Sequence, residues 1–278
     1  MKKVWFITGC SSGFGKALAE KTLEKGYHVA VCARNIADVQ EIVANYPESS
    51  LAVKLDVTKP DEIMHSVQQV VEKFGRIDVL VNNAGIGYFG AIEESEDHDI
   101  RNMFEINFFG LANMTKAVLP TMRSQKSGHI INITSIGGLI GNAGVGFYNA
   151  TKFAVDGFSE SLSKETAPLG IKVIIVAPSG FRTDWAGRSA KNSQVAIEDY
   201  SATAGLNKKT IRGSSGNQPG DPVKAADAII QVAEAAQPPL RLLLGAAAFK
   251  NANLKLLDLK KDYDAWEAIS IGADSPQT

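Results

Sequence analysis

Val4-Trp5-Phe6-Ile7-Thr8-Gly9-Cys10-Ser11-Ser12-Gly13-Phe14-Gly15 begins as an apolar, β-rich run, breaks into glycines, and opens a helical pattern. Glycines at 9, 13 and 15 permit a tight turn and let an extended ligand approach the backbone closely. The helix that follows offers unpaired N–H groups and a partial positive charge, which suit a pyrophosphate. The spacing G-x-x-x-G-x-G is not the G-x-G-x-x-G of the standard dinucleotide fingerprint. Nor is it a P-loop, because no Lys-Ser/Thr follows the last glycine. Glycines after a strand often only make a turn. Here they stand at the first strand-helix junction of an alternating chain, which favours the phosphate reading.

Outward from that junction the alternation continues. Val29 to Cys32, Leu51 to Leu55, Val79 to Val81, Ile130 to Ile133 and Val173 to Ala177 read as buried strands. Gly13 to Lys25, Ala37 to Asn45, Asp61 to Phe74, Ile100 to Arg123 and Tyr148 to Ala167 read as helices. The pattern predicts an α/β fold: a three-layer, doubly wound parallel sheet of Rossmann type in one domain spanning residues 1–278. Ligands should gather beyond the carboxyl ends of the strands, where strand order reverses. Residues 184–221, rich in Ser, Gly, Asn and Lys, read as an insertion without regular structure and a candidate substrate lid. A helix from Pro222 to Ala236, a strand from Leu240 to Leu244, a helical segment and a polar tail at 272–278 should follow.

Composition narrows the function classes. The 278 residues are 45% hydrophobic and 21% charged, which is ordinary for a packed protein. A net charge of -1 gives no general attraction to nucleic acid or anionic lipid. Two cysteines, Cys10 and Cys32, are too few for a disulfide framework or a Cys-rich zinc site. The apolar start breaks at Thr8-Gly9, too early for a signal peptide, and no run is long enough for a membrane span. The expectation is a cytoplasmic protein with no nucleic-acid or membrane partner. His28, His65, His98 and His129 are scattered, read as surface or packing residues, and imply no metal.

Two further stretches carry chemistry. The second strand ends Cys32-Ala33-Arg34, with no Asp or Glu at 32 to 35 to accept from a ribose 2′-OH. An arginine there suits a 2′-phosphate, so NADP(H) is favoured over NAD(H). Tyr148 and Lys152 lie at i and i+4 on one helix face. An ammonium beside a phenol stabilises the phenolate and makes the tyrosine a usable acid and base. Ser135, at the end of the strand Ile130 to Thr134, can reach the same substrate oxygen.

Together these motifs resemble the short-chain dehydrogenase/reductase superfamily over roughly residues 4 to 183. Thr8 to Gly15 matches T-G-x-x-x-G-x-G, Tyr148 to Lys152 matches Y-x-x-x-K, and Asn82-Asn83-Ala84-Gly85 matches N-N-A-G. Asp56-Val57 is similar to the pair beside the adenine, and Asn107 falls where the family carries a catalytic asparagine. The resemblance implies a tetrad of Asn107, Ser135, Tyr148 and Lys152. Tyr148 would exchange a proton with the substrate oxygen, Ser135 would polarise that oxygen, and Lys152 would lower the tyrosine pKa and hold the nicotinamide ribose. Asn107 would anchor a water of a proton relay. The cofactor would touch Gly9, Ser11, Ser12, Gly13, Phe14, Gly15, Arg34, Asp56, Val57, Asn83, Ala84, Gly85, Tyr148, Lys152, Pro178, Phe181 and Thr183, the last two at its carboxamide.

Two positions depart from the family. Pro178-Ser179-Gly180 replaces Pro-Gly, displacing the glycine by one, and Ser12 stands where some NADP-selective members carry a basic residue, leaving selectivity to Arg34. The implied activity is reversible hydride transfer between NADP(H) and a ketone or secondary alcohol. Alternatives are an NADPH-sensing, non-catalytic regulator, or an epimerase or dehydratase of the same family. The candidate substrate walls are Gly85 to Phe89, Gly137 to Gly144 and Trp185 to Tyr200, and they predict an apolar, medium-sized substrate. Phe104, Phe108 and Phe109 read as core packing, although the resemblance implies a homodimer or homotetramer through the helix that carries them.

Overall fold

In the computed structural model, which describes residues 2–275, the strands run in chain order as β1 Val4–Ile7, β2 His28–Ala33, β3 Ser50–Lys54 and β4 Val79–Asn82, then β5 Gly87–Phe89, β6 Gly128–Ile133, β7 Ile171–Pro178, β8 Ala190–Asn192 and β9 Arg241–Leu244. Seven of them form one parallel sheet in the order β3-β2-β1-β4-β6-β7-β9. The chain winds outward from β1 to β3 and then returns to β4 on the other side of β1. That reversal opens a crevice at the carboxyl ends of β1 and β4, where the glycine turn lies.

The sheet has an apolar layer on each face because successive strand residues point to opposite sides. Trp5, Ile7, Val29, Val31, Val79 and Val81 face the helices Gly13–Glu24 and Pro222–Glu234. Val4, Phe6, Ala30, Cys32 and Leu80 face the opposite layer, with the helices Pro60–Phe74, Leu111–Gln125 and Gly146–Thr166. Cys10 belongs to the first layer and Cys32 to the second, so the two buried thiols sit on opposite sides of the sheet.

Three segments differ from the sequence expectation. The helix expected over Ile100 to Arg123 is Asp97–Phe104, a π-helical stretch Glu105–Gly110, and Leu111–Gln125. The helical period runs through all three, which hides the change of winding. A Cβ on Gly110 would stand 2.7 Å from the Val57 side chain, so only glycine lets this helix approach the loop after β3. Phe104 and Phe108 are half-buried and Phe109 is exposed, so the core reading of these phenylalanines does not hold. The Ala37 to Asn45 helix is a 3₁₀ turn Ile36–Val39, capped by Asn35, followed by Gln40–Ala44.

The 184–221 segment is also more ordered than its composition suggests. It holds β8 and a helix Leu206–Gly213. β8 pairs in parallel with β5, Gly87 opposite Ala190. A Cβ on Gly87 would meet the Ala190 Cβ at 2.8 Å, so the pairing needs glycine there. Strands of three residues leave no periodicity to read. Beyond β9 come the helices Ala246–Ala265 and Glu267–Ile271; of the expected polar tail, residues 276–278 lie outside the described residues. No helix among the described residues is long and apolar enough to cross a membrane.

Candidate active site

The turn after β1 is held by its neighbour. The Thr8 Oγ1 accepts from the backbone N–H of Asn83 (2.9 Å) and of Ala84 (3.0 Å). The Asn83 side-chain amide donates to the carbonyls of Thr8 (2.8 Å) and Gly9 (3.0 Å). Asn83 therefore braces the glycine turn against the end of β4. Gly9 has φ 71°, and a Cβ on Gly15 would lie 2.2 Å from the Gly9 carbonyl oxygen. Gly15 packs helix against strand and does not line the crevice; Gly9 and Gly13 do. The helix Gly13–Glu24 has no side-chain cap and no acidic residue in its first turn. Its N-terminal N–H groups and dipole are thus left for an anion.

The crevice is a cleft of about 1040 Å³. Of the expected catalytic and cofactor-touching residues, all line it except Gly15 and Asn107. Arg34 and Asp56 stand at one end. The Arg34 guanidinium is exposed and makes no hydrogen bond or ion pair among the described residues. Burial raises the Asp56 pKa, but two hydrogen bonds from Thr58, with Arg34 and Lys59 nearby, outweigh it and hold the carboxyl below its ordinary value. Asp56 stays a carboxylate with Thr58 as its partner.

At the other end stand Ser135, Tyr148 and Lys152. Ser135 is the extended residue after β6 and caps the short turn Ile136–Gly138 by accepting from the Gly137 N–H at 3.0 Å. Ser135 lies beside Tyr148, the two side chains meeting around Gly137. The Lys152 Nζ donates to the Ile133 carbonyl at 3.0 Å and lies 5.7 Å from the centre of the Tyr148 ring. The lowered phenol expected from a lysine one turn away is reversed. Burial pushes Tyr148 up to about 12, against the neighbouring Ser135 hydroxyl. Burial likewise pushes Lys152 down to about 8, against the charge of Asp156. Desolvation disfavours the charged form of each group, and it dominates both.

Asn107 sits in the π-helical stretch with its side chain fully committed. Its Oδ1 accepts from the Ile86 N–H at 2.8 Å, and its Nδ2 donates to the Ile86 carbonyl (2.9 Å) and to Thr151 Oγ1 (3.2 Å). It ties the segment after the N-N-A-G turn to the tyrosine helix. π-helical turns are rare and concentrate at functional sites.

Two contributors, Asn149 and Asp156, escaped the sequence reading, and a third, Trp185, entered it only as the start of a candidate wall. Asn149 accepts from the Asn142 N–H (2.8 Å) and donates to the Gly137 carbonyl (2.9 Å), so it fixes the 137–142 wall to the tyrosine helix. Asp156, one turn beyond Lys152, accepts from Thr134 Oγ1 (2.7 Å) and from Arg241 of β9 (2.9 Å). It binds the strand end bearing Ser135 to the helix bearing Tyr148 and Lys152. Trp185 lies 4.7 Å from Tyr148 and 5.6 Å from Phe89, ring centre to ring centre. Asp156 and Trp185 meet Arg241 and Phe89 from distant stretches of chain, so local sequence carries no signal of those contacts.

Tyr148 belongs to an apolar cluster with Tyr88, Phe89, Met103, Val145 and Ala190, and of the side chains in and against it Ile86, Val145, Trp185 and Ile211 line the cleft. The arginines near this wall are occupied: Arg182 with Asp221 (3.1 Å), Arg188 with Asp184 (2.7 Å), and Arg212 with the carbonyls of Gly187 (2.9 Å) and Ala190. Phe181 bridges in parallel to Gly220, turns its ring onto Phe14 (5.0 Å, edge-on), and Thr183 comes within 3.3 Å of where a Gly13 Cβ would stand.

A doubly wound sheet with an anion-ready glycine turn and a buried Tyr-Lys pair in one cleft defines a nucleotide-binding oxidoreductase architecture. The family model described as short chain dehydrogenase matches residues 3–194, and the chain belongs to that family. It is 40% identical over 274 residues to oxidoreductase BOA17 of Botryotinia fuckeliana, covering 98% of this chain and 100% of the other. It is 38% identical over 248 residues to the 3-ketodihydrosphingosine reductase of Bacteroides thetaiotaomicron, covering 87% and 88%. A solved short-chain dehydrogenase from Streptomyces avermitilis superposes with a TM-score of 0.92 at 42% identity, covering 98% of each chain. Two more distant structures contain nicotinamide cofactors: ElxO with NADP (29% identity, TM-score 0.74, covering 90% and 100%) and a Brucella melitensis 3-ketoacyl-(acyl-carrier-protein) reductase with NADH (26%, 0.73, 87% and 96%). The protein is an oxidoreductase of this family, and a nicotinamide cofactor fits its cleft.

Proposed function

We propose that this protein uses NADP(H) to interconvert a ketone and a secondary alcohol, the substrate being apolar and of medium size. The observation that carries the reading is the placement of Tyr148, beside Ser135 and Lys152, in the same cleft as the glycine turn. When bound, the cofactor supplies a hydride at its nicotinamide C4.

The chain's own residues do the rest. Tyr148, kept protonated by burial, donates its proton to the carbonyl oxygen as the carbon is reduced, and takes it back in the reverse direction. Ser135 orients and polarises that oxygen. Lys152 holds the ribose and returns a proton to Tyr148 through a relay that includes Asn107. The uncapped helix with Gly9, Ser11, Ser12, Gly13 and Phe14 holds the diphosphate, Asp56 and Val57 the adenine end, and Asn83, Ala84, Gly85, Pro178, Phe181 and Thr183 the nicotinamide end. Arg34, with no hydrogen bond or ion pair among the described residues, takes the 2′-phosphate.

The apolar wall around Tyr148 and the occupied arginines near it support a substrate without a carboxylate. The Bacteroides relative is named as a reductase of a keto compound, which agrees with a ketone substrate here. A homodimer or homotetramer through the helices Leu111–Gln125 and Gly146–Thr166 belongs to the same proposal, with Phe109 and Phe153 close to half exposed on that face.

Titration of wild type and Arg34→Ala with NADPH and NADH, followed by fluorescence, tests the cofactor assignment. Wild type should prefer NADPH, and Arg34→Ala should lose about ten- to a hundredfold in NADPH affinity while NADH binding stays unchanged, the scale of one charge-assisted contact. Equal binding of both cofactors by wild type would make Arg34 a bystander.

A further inference from the structure

The helices Ala246–Ala265 and Glu267–Ile271 are nearly bare: only Ala248 and Ala252 are buried, and every residue from 260 to 275 is exposed. Phe249, Leu256, Tyr263, Trp266, Ile269 and Ile271 each stand 62–68% exposed. Phe249, Leu256 and Tyr263 are spaced by seven and make one stripe along the first helix. A helix draws most of its stability from packing one face, so a projecting apolar stripe calls for a cover. Six side chains of this size leave on the order of 100 Å² each uncovered, roughly 600 Å² per copy, which in a pair reaches the lower range of specific interfaces.

The charge pattern selects the cover. Residues 246–257 carry Lys250 and Lys255 with no acid, net +2. Residues 258–271 carry Lys260 and Lys261 against Asp258, Asp262, Asp264 and Glu267, net -2. The halves cancel, so there is no cationic face for an anionic membrane. A parallel mate would set like charge on like. An antiparallel mate sets each positive half against a negative one, in the self-complementary arrangement of a two-fold contact. We propose that a second copy of this chain covers the C-terminal helices, packed antiparallel about an axis near Leu256. Phe249 then meets the partner's Tyr263, and Lys250 lies level with the partner's Asp262. This contact is separate from the one through Phe109 and Phe153, and it does not depend on the assigned chemistry.

The test uses the full chain. Leu256→Cys places a thiol on the axis, while the native Cys10 and Cys32 are fully buried. Mild oxidation should give a covalent dimer on a non-reducing gel. Leu256→Asp combined with Tyr263→Asp should halve the mass measured by light scattering and leave NADPH affinity unchanged. Lys250→Asp with Lys255→Asp should weaken the assembly, and adding Asp262→Lys with Asp264→Lys should restore it. No cross-link, an unchanged mass in the aspartate variant, or flotation of wild type with phosphatidylserine vesicles through this helix would each overturn the proposal.

Discussion

Lys152 is the residue whose state is most finely set. Its neighbours from every side are Tyr148 and Asp156 on its own helix, the Ile133 carbonyl of β6, and Gly85 with Asn107 across the cleft. Burial brings its pKa to about 8, below the ordinary 10.5, so the folded protein loses this proton while an unfolded chain would keep it. Below about pH 8 the buried ammonium is charged and subtracts from stability. Between about 8 and 10.5 that cost fades, so this residue's contribution makes the fold more stable as pH rises. Activity runs the other way if the ammonium is needed. The account expects kcat/KM to fall as pH rises through about 8, with Tyr148 remaining a proton donor throughout because its pKa is about 12. A pH–rate profile checks this. Lys152→Arg should move the alkaline limb upward, and an unchanged limb in that variant would assign it to another group. Tyr148, Lys152 and Ser135 were legible because their chemistry lies in residue type and spacing. Their pKa values were not, since burial is a property of the assembled walls.

At the scale of elements, much of the site is helix and strand ends. The helix Pro222–Glu234 shows how one residue sets such an end. Asp221 accepts from the N–H groups of Val223 (2.8 Å) and Lys224 (3.4 Å), while also pairing with Arg182 from the segment after β7. Loss of a cap costs about 1 kcal/mol. Asp221→Ala is therefore expected to lower the midpoint of chemical denaturation and to loosen the segment after β7. An unchanged denaturation midpoint would show that the cap contributes nothing. The long elements of the sheet were readable because buried strands are continuous apolar runs and helices keep a 3.6-residue period. The π-helical stretch at Asn107 escaped because its winding changes without breaking that period. β5 and β8 escaped because three residues carry no pattern, and their pairing depends on Gly87 fitting against Ala190.

Across the whole molecule, the order β3-β2-β1-β4-β6-β7-β9 converts local motifs into one cleft. The reversal at β1 sets the glycine turn beside the N-N-A-G turn after β4. β6 and the tyrosine helix then deliver Ser135, Tyr148 and Lys152 to the same edge. The 184–221 segment packs against them through Trp185 and Ile211, while β9 reaches back through Arg241 to Asp156. Residues 135 and 148 could be paired from the sequence because they flank one strand-helix connection. The apolar wall could only be guessed, since Phe89, Trp185 and Ile211 meet through the fold alone.

The central claim is that Tyr148 transfers a proton in a reaction this protein performs with NADPH. The most direct measurement is NADPH oxidation over a panel of apolar ketones by wild type and Tyr148→Phe, with NADPH binding followed on both. The account predicts turnover by wild type, and a variant that binds NADPH as tightly but loses about a hundred- to ten-thousandfold in kcat. Tight NADPH binding by wild type with no ketone or alcohol turned over, or full activity in Tyr148→Phe, would contradict it.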